Sequence, residues 1–212
     1  MGASPYESSD LVDGILSISL PATQKPNSDE LTSSADTNGF ENLIQSLKLV
    51  ESDEAVRVIV LRENDVEFAK AFSATVIAGQ EIRLKLAQLL HQMPQPIVAI
   101  VRGQVQAGMK AIWDACDIVF ADGDWATLSF SETELEEQTY KLARELTSTD
   151  PLILRFTKKT VQQVASIAWE DILSFTTAQQ AEIKSLQAGR PSPRALAIES
   201  FLAGKSKPGA GA

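Results

Sequence analysis

The chain is 212 residues long, 44% apolar and 22% charged, with a net charge of -9 and a single cysteine, Cys116. That length and composition fit one globular domain with a sizeable core; the acidic balance argues against a nucleic-acid-binding surface, and one cysteine excludes an internal disulfide and fits a reducing compartment. No apolar run approaches ~18 residues, so no membrane span is expected, and the opening MGASPYESSD lacks the basic and apolar regions of a secretory leader, so a cytoplasmic protein is expected.

Residues 1–10 are polar and read as a loose end. Asp13-Gly14 leads into a first strand over 15–20, and the Ser-, Thr-, Asp-, Asn- and Pro-rich stretch 21–38 reads as a loop. Phe40, Leu43, Ile44, Leu47 and Val50 then share one face of an amphipathic helix. Residues 55–61 form the next strand, and a crossover of this length implies parallel pairing with a right-handed connection. A long helix over 79–93 turns Ile82, Leu86, Leu89 and Leu90 inward. His91, the only histidine, stands near its end, where a capping or surface role is commoner than catalysis.

The β-branched run 96–101 has the length and composition of a buried strand. Gly103 and Gly108 bracket a turn, residues 109–116 read as one to two helical turns, and 118–121 is a second apolar strand. Strand, glycine turn and helix start present free backbone N–H groups to an anion. An acidic run follows, Ser129-Phe130-Ser131-Glu132-Thr133-Glu134, and then a helix over 135–146. Pro151 stands at the favoured first position of another helix, carrying Leu152, Phe156, Lys158 and Val161, and a third spans 169–185. No metal-ligand spacing, Ser-His-Asp set, phosphate loop or dinucleotide fingerprint occurs.

The residues of 95–121 go further than this pattern. Pro96, Gly103, Gly108, Cys116, Asp117, Ile118 and Ala121 fall in register with the signature of the crotonase (enoyl-CoA hydratase/isomerase) superfamily, which the chain resembles. The resemblance covers 13–208 with one large deletion after Glu134, and is strongest at 95–121 and 195–208. It implies an α/β fold: a shortened crotonase-like (ClpP/crotonase) ββα spiral core over 11–134, then a C-terminal helical region over 135–208 that assembles the chain as a homotrimer or hexamer.

The resemblance also implies a chemistry, the stabilisation of a thioester enolate by two backbone N–H groups. Register puts one at Gly108 and the other at Val76, just after Lys70-Ala71-Phe72-Ser73-Ala74, although Thr75 replaces the family's glycine. Hydratases of the family share acid and base work between two glutamates; the first belongs at Ala111 and is absent, and the second falls at Glu132. Isomerases can use one glutamate at that second place to move a proton between carbons. The bland reading of Glu132 is an acidic loop beside Glu134, Glu136 and Glu137.

Coenzyme A would enter as part of an acyl-CoA substrate, with no separate cofactor and no metal. Its contacts would come from Ala74, from Lys25 on a phosphate, and from Phe201, Lys205 and Lys207 in a tail that resembles the family ending; Lys25 and the tail lysines also read as solvated surface. The enzyme reading therefore stands beside an alternative, a catalytically degenerate subunit kept for binding or assembly. A ClpP-type peptidase is a remoter reading, disfavoured by the lack of a serine beside Gly108 and by His91 as the only histidine.

Overall fold

The computed structural model describes residues 11–20, 33–62, 80–102, 107–122, 128–164, 166–189, 198–199 and 201–204. They form β1 (Leu11–Val12), β2 (Ile15–Ser19), α1 (Ser33–Val50), β3 (Val58–Arg62), α2 (Gln80–Gln92), β4 (Ile97–Val101), α3 (Ala107–Asp114), β5 (Ile118–Ala121), β6 (Leu128–Ser129), α4 (Glu132–Thr147), α5 (Pro151–Val164) and α6 (Ile172–Leu186).

The six strands lie side by side in chain order in one sheet. β1 pairs with β2 antiparallel, and each later neighbour pairs parallel. Because the order never reverses, crossovers of one hand deliver their helices to one face. α1, α2 and α3 accordingly form one core with that face, where Phe40, Leu47, Leu86, Leu90 and Trp113 meet Ile59, Leu61, Ile97 and Ala99.

The alternate strand residues, Val58, Val60, Val98, Ile100 and Phe120, face the other way. Among the described residues no crossover helix packs on that side. α4 covers it instead, burying Leu135 and Ala143 against those residues, while Thr139 Oγ1 donates to the Leu135 carbonyl at 2.8 Å. Cover on both faces explains why β3 and β4 are apolar throughout rather than alternating. α4, which the sequence groups with the later helices, packs with the sheet.

Two local differences from the sequence reading have physical causes. The segment Ser33–Asn38, expected as loop, opens α1. Its residues are weak helix formers, but propensity is a weak prior and the buried face at 40–50 supplies the packing that extends the helix. β1 was not expected at all. Asp13 and Gly14 have φ of 51° and 80°, the two positive values of a two-residue hairpin turn, which pairs Val12 with Ile15. A Cβ on Gly14 would also lie 3.1 Å from Arg57 Cγ and Cδ.

The chain divides into two compact units after Lys159, within α5. In the second, Thr160 Oγ1 bonds Gln179 Oε1 at 2.5 Å, a short turn at Trp169–Asp171 opens α6, and Trp169, Leu173 and Leu202 are strongly exposed. Among the described residues no helix is long and apolar enough to cross a membrane.

Candidate active site

Parallel strands align their carboxyl ends, and ligands of such sheets bind beyond those ends. Register fixes that edge here. Ser19 pairs with Arg62, Arg62 with Ile100, Val101 with Ala121, and Ala121 with Ser129. The segments that leave it are 20–32 after β2, 63–79 after β3, 102–106 after β4, 122–127 after β5, and 130–131 before α4. Lys25, Ala74 and Val76 belong to the first two and lie outside the described residues, as do Lys205 and Lys207.

Gly108 is the second residue of α3. Its backbone N–H is one of the four that a helix leaves without an intrahelical partner, so α3 offers a donor at the carboxyl edge. Met109, Ile112 and Trp113 are buried and fix the helix against the core, while Lys110 Nζ bonds Asp114 Oδ2 at 2.6 Å on the exposed side. Ala111 stands half-buried at the start of the second turn, with no carboxylate to offer.

Glu132 opens α4 and is not a loop residue. Ser131 is the N-cap, with extended backbone at φ -67° and ψ 152°, and its Oγ lies 2.5 Å from Glu134 Oε2. Acidic residues are favoured in a first helical turn, which accounts for the charge run 132–137 without a catalytic role. The junction before it is pinned twice. Phe130 N donates to the Ala121 carbonyl at 2.9 Å, and the Phe130 ring stacks on Phe120 with centroids 5.4 Å apart.

One contact at this edge was not foreseen. Arg102, directly after β4, sets Nη2 2.5 Å from Glu136 Oε1 on α4. The signal was present in the chain, because Arg102 is the only charged residue between positions 92 and 110, but sequence does not name its partner.

The opposite edge holds Asp117, one of the residues that carry the resemblance. Asp117 Oδ2 accepts from Ile97 N at 2.8 Å and lies 2.7 Å from Lys158 Nζ, whose side chain is only 5% exposed. Lys158 also donates to the Gln95 carbonyl at 3.0 Å. This cluster ties the amino ends of β4 and β5 to the middle of α5, so Asp117 is structural. His91, in the last turn of α2, precedes β4 and so belongs to this edge too.

Cys116 adjoins the same cluster, with Sγ 3.4 Å from the Ile112 carbonyl. Burial, and then the neighbouring Asp117 carboxylate, push its thiol well above the ordinary range. A thiolate, not a thiol, is the nucleophile. At about pH 8, near the usual thiol range, a thiol-reactive dye is therefore expected to label the folded protein slowly and the denaturant-unfolded protein fully; rapid labelling of both would overturn this reading. Among the described residues no group of His, Cys, Asp and Glu is placed to hold a metal ion.

Phe201, the one described member of the expected tail contacts, is 49% exposed in the second compact unit.

Solved structures share this architecture. Human enoyl Coenzyme A hydratase domain-containing protein 3 superposes with a TM-score of 0.66 at 14% identity, over 92% of this chain and 96% of that one. An enoyl-CoA hydratase from Bacillus anthracis gives 0.63 at 14% identity, over 91% and 93%. An enoyl-CoA hydratase/isomerase family protein from Silicibacter pomeroyi gives 0.62 at 18% identity, over 81% and 97%. The chain has the crotonase fold. No family model matches its sequence, and no curated protein does. Identities this low mean that the crotonase fold is carried by packing and register more than by residue identity, and fold alone does not assign a reaction.

Proposed function

We propose that the protein acts on acyl-CoA thioesters as an enzyme of enoyl-CoA hydratase/isomerase type. The observation that carries this is that two helices start from one sheet edge: α3, with Gly108 in its first turn, and α4, with Glu132 as its first residue. The amides of Gly108 and Val76 hold the thioester oxygen as negative charge develops on it. Glu132 takes a proton from the α-carbon of a 3-enoyl thioester and returns it to the γ-carbon, so the double bond moves into conjugation and no atoms are gained or lost. One carboxylate suffices for this transfer, whereas hydration by the two-glutamate route lacks its partner at Ala111.

Lys25 and Ala74 are the proposed contacts to the CoA moiety, Phe201, Lys205 and Lys207 are proposed to reach the CoA of a neighbouring copy, and the exposed apolar residues of 160–212 support assembly into a homotrimer or hexamer. Ala111 favours the second reading, a degenerate CoA-binding or assembly subunit. Calorimetric titration with acetyl-CoA and crotonyl-CoA, run beside hydration and isomerisation assays, separates the two. Micromolar binding with turnover is expected. Binding without turnover would leave the degenerate subunit, and no binding at millimolar ligand would sink both CoA readings.

A further inference from the structure

The ion pair between Arg102 and Glu136 ties the residue after β4, from which the chain runs on to α3, to the start of α4. Arg102 directly follows β4 and stands six residues ahead of Gly108. Glu136 lies one helical turn, about 6 Å along the axis, beyond Glu132. With side-chain exposures of 26% and 52%, the pair is too solvated to add much to global stability. Its position is the informative property. The packing of Leu135 and Ala143 holds α4 against the sheet, but apolar contact is non-directional and does not by itself fix the helix's place along it. The Phe130 backbone bond fixes the residue two ahead of α4. Among the described residues, the directional contacts from within α4 to the sheet include the Ser17 to Tyr140 hydroxyl bond of 2.8 Å, one turn beyond Glu136, and the Arg102–Glu136 pair, which of these two lies nearer the start of α4.

We infer that Arg102 and Glu136 are positioning residues, whose ion pair sets the separation between the Gly108 amide at the start of α3 and Glu132 at the start of α4. The catalytic consequence rests on the acyl-CoA reading above; the structural consequence does not. Misplacing a catalytic group by about 1 Å costs on the order of 100-fold in rate, so a contact that is nearly silent in stability can be loud in turnover.

The test compares the wild type with R102Q, E136Q and the charge-swapped R102E/E136R, in the full chain. Four quantities are read: kcat for isomerisation, crotonyl-CoA Kd, Tm, and amide hydrogen exchange over residues 135–138. Each single variant is expected to lower kcat about tenfold or more, to leave Kd within about twofold, and to move Tm by less than about 3 °C. Each should also quicken exchange over 135–138, and the swap should recover both kcat and exchange. Unchanged kcat in the single variants of an active enzyme overturns the inference, as does a loss that the swap fails to rescue. A wild type without turnover sinks the enzyme reading and leaves exchange to decide. Quickened exchange rescued by the swap then supports the pairing, and unchanged exchange overturns it.

Discussion

Replacing Glu132 with glutamine is expected to slow conversion of 3-butenoyl-CoA to crotonyl-CoA by about 100- to 10,000-fold, the usual contribution of a positioned acid or base. Glutamine keeps the size and shape of the side chain and loses only its capacity to take and return the proton. Binding of crotonyl-CoA should therefore hold, and the loss should fall on kcat rather than KM. Ala111 sharpens the expectation, since no second carboxylate stands at that position of α3 to take over. A variant that keeps the wild-type rate would mean that the base lies elsewhere or that the turnover is not the protein's own. In either case the run 132–137 would be what helix electrostatics alone makes it, an acidic start to α4.

The second large effect concerns stability. Asp117→Ala is expected to destabilise the fold by about 3 kcal/mol, the low end of the cost of orphaning a buried charge. The low end applies because the Asp117 side chain keeps 22% of its exposure. The cost arises at the partner: Lys158, at 5% exposure, would keep its ammonium among the Gln95 and Leu90 carbonyls with no counter-charge. Ile97 N would lose its acceptor as well. Lys158→Met leaves the Asp117 carboxylate without its cation, but that side chain reaches solvent and keeps its bond from Ile97 N, so the cost should be smaller, about 1 kcal/mol. Urea denaturation of both variants checks the ranking. If Lys158→Met proves the more damaging, the cluster is held by packing and not by the charge pair.

Much of this architecture was legible in the chain, for reasons that differ by element. Apolar runs without alternation announce strands buried on both faces, and 118–121 was read to the residue as β5. The stripe from Phe40 to Val50 fixes a helix face, but not where that helix begins, because packing at 40–50 carries weaker formers along. The hairpin at Asp13-Gly14 was signalled by its dipeptide and obscured by the two-residue length of β1.

At the candidate site, Gly108 could be placed from the strand, turn and helix pattern alone. Glu132 was visible as a carboxylate, but its place at a helix start needed the fold. Pairings distant in sequence, Arg102 with Glu136 and Asp117 with Lys158, leave no local trace, since each partner alone looks like an ordinary surface charge. The resemblance singled out Asp117 without its role. Its partners show that it holds the amino ends of β4 and β5 together, at the edge away from the proposed chemistry.

Among the described residues the sheet's two margins are β1 at Leu11–Val12 and β6 at Leu128–Ser129, two residues each. A long, flat border strand is a template on which further chains can add, and short borders are one means by which natural sheets avoid it. Here β3 and β4, with a ladder of amides and carbonyls on each side, are enclosed by their neighbours, while β1 covers only Ile15 and Leu16 of β2. The backbone groups of those two central strands are therefore spent within the sheet and are closed to a second copy that would extend it.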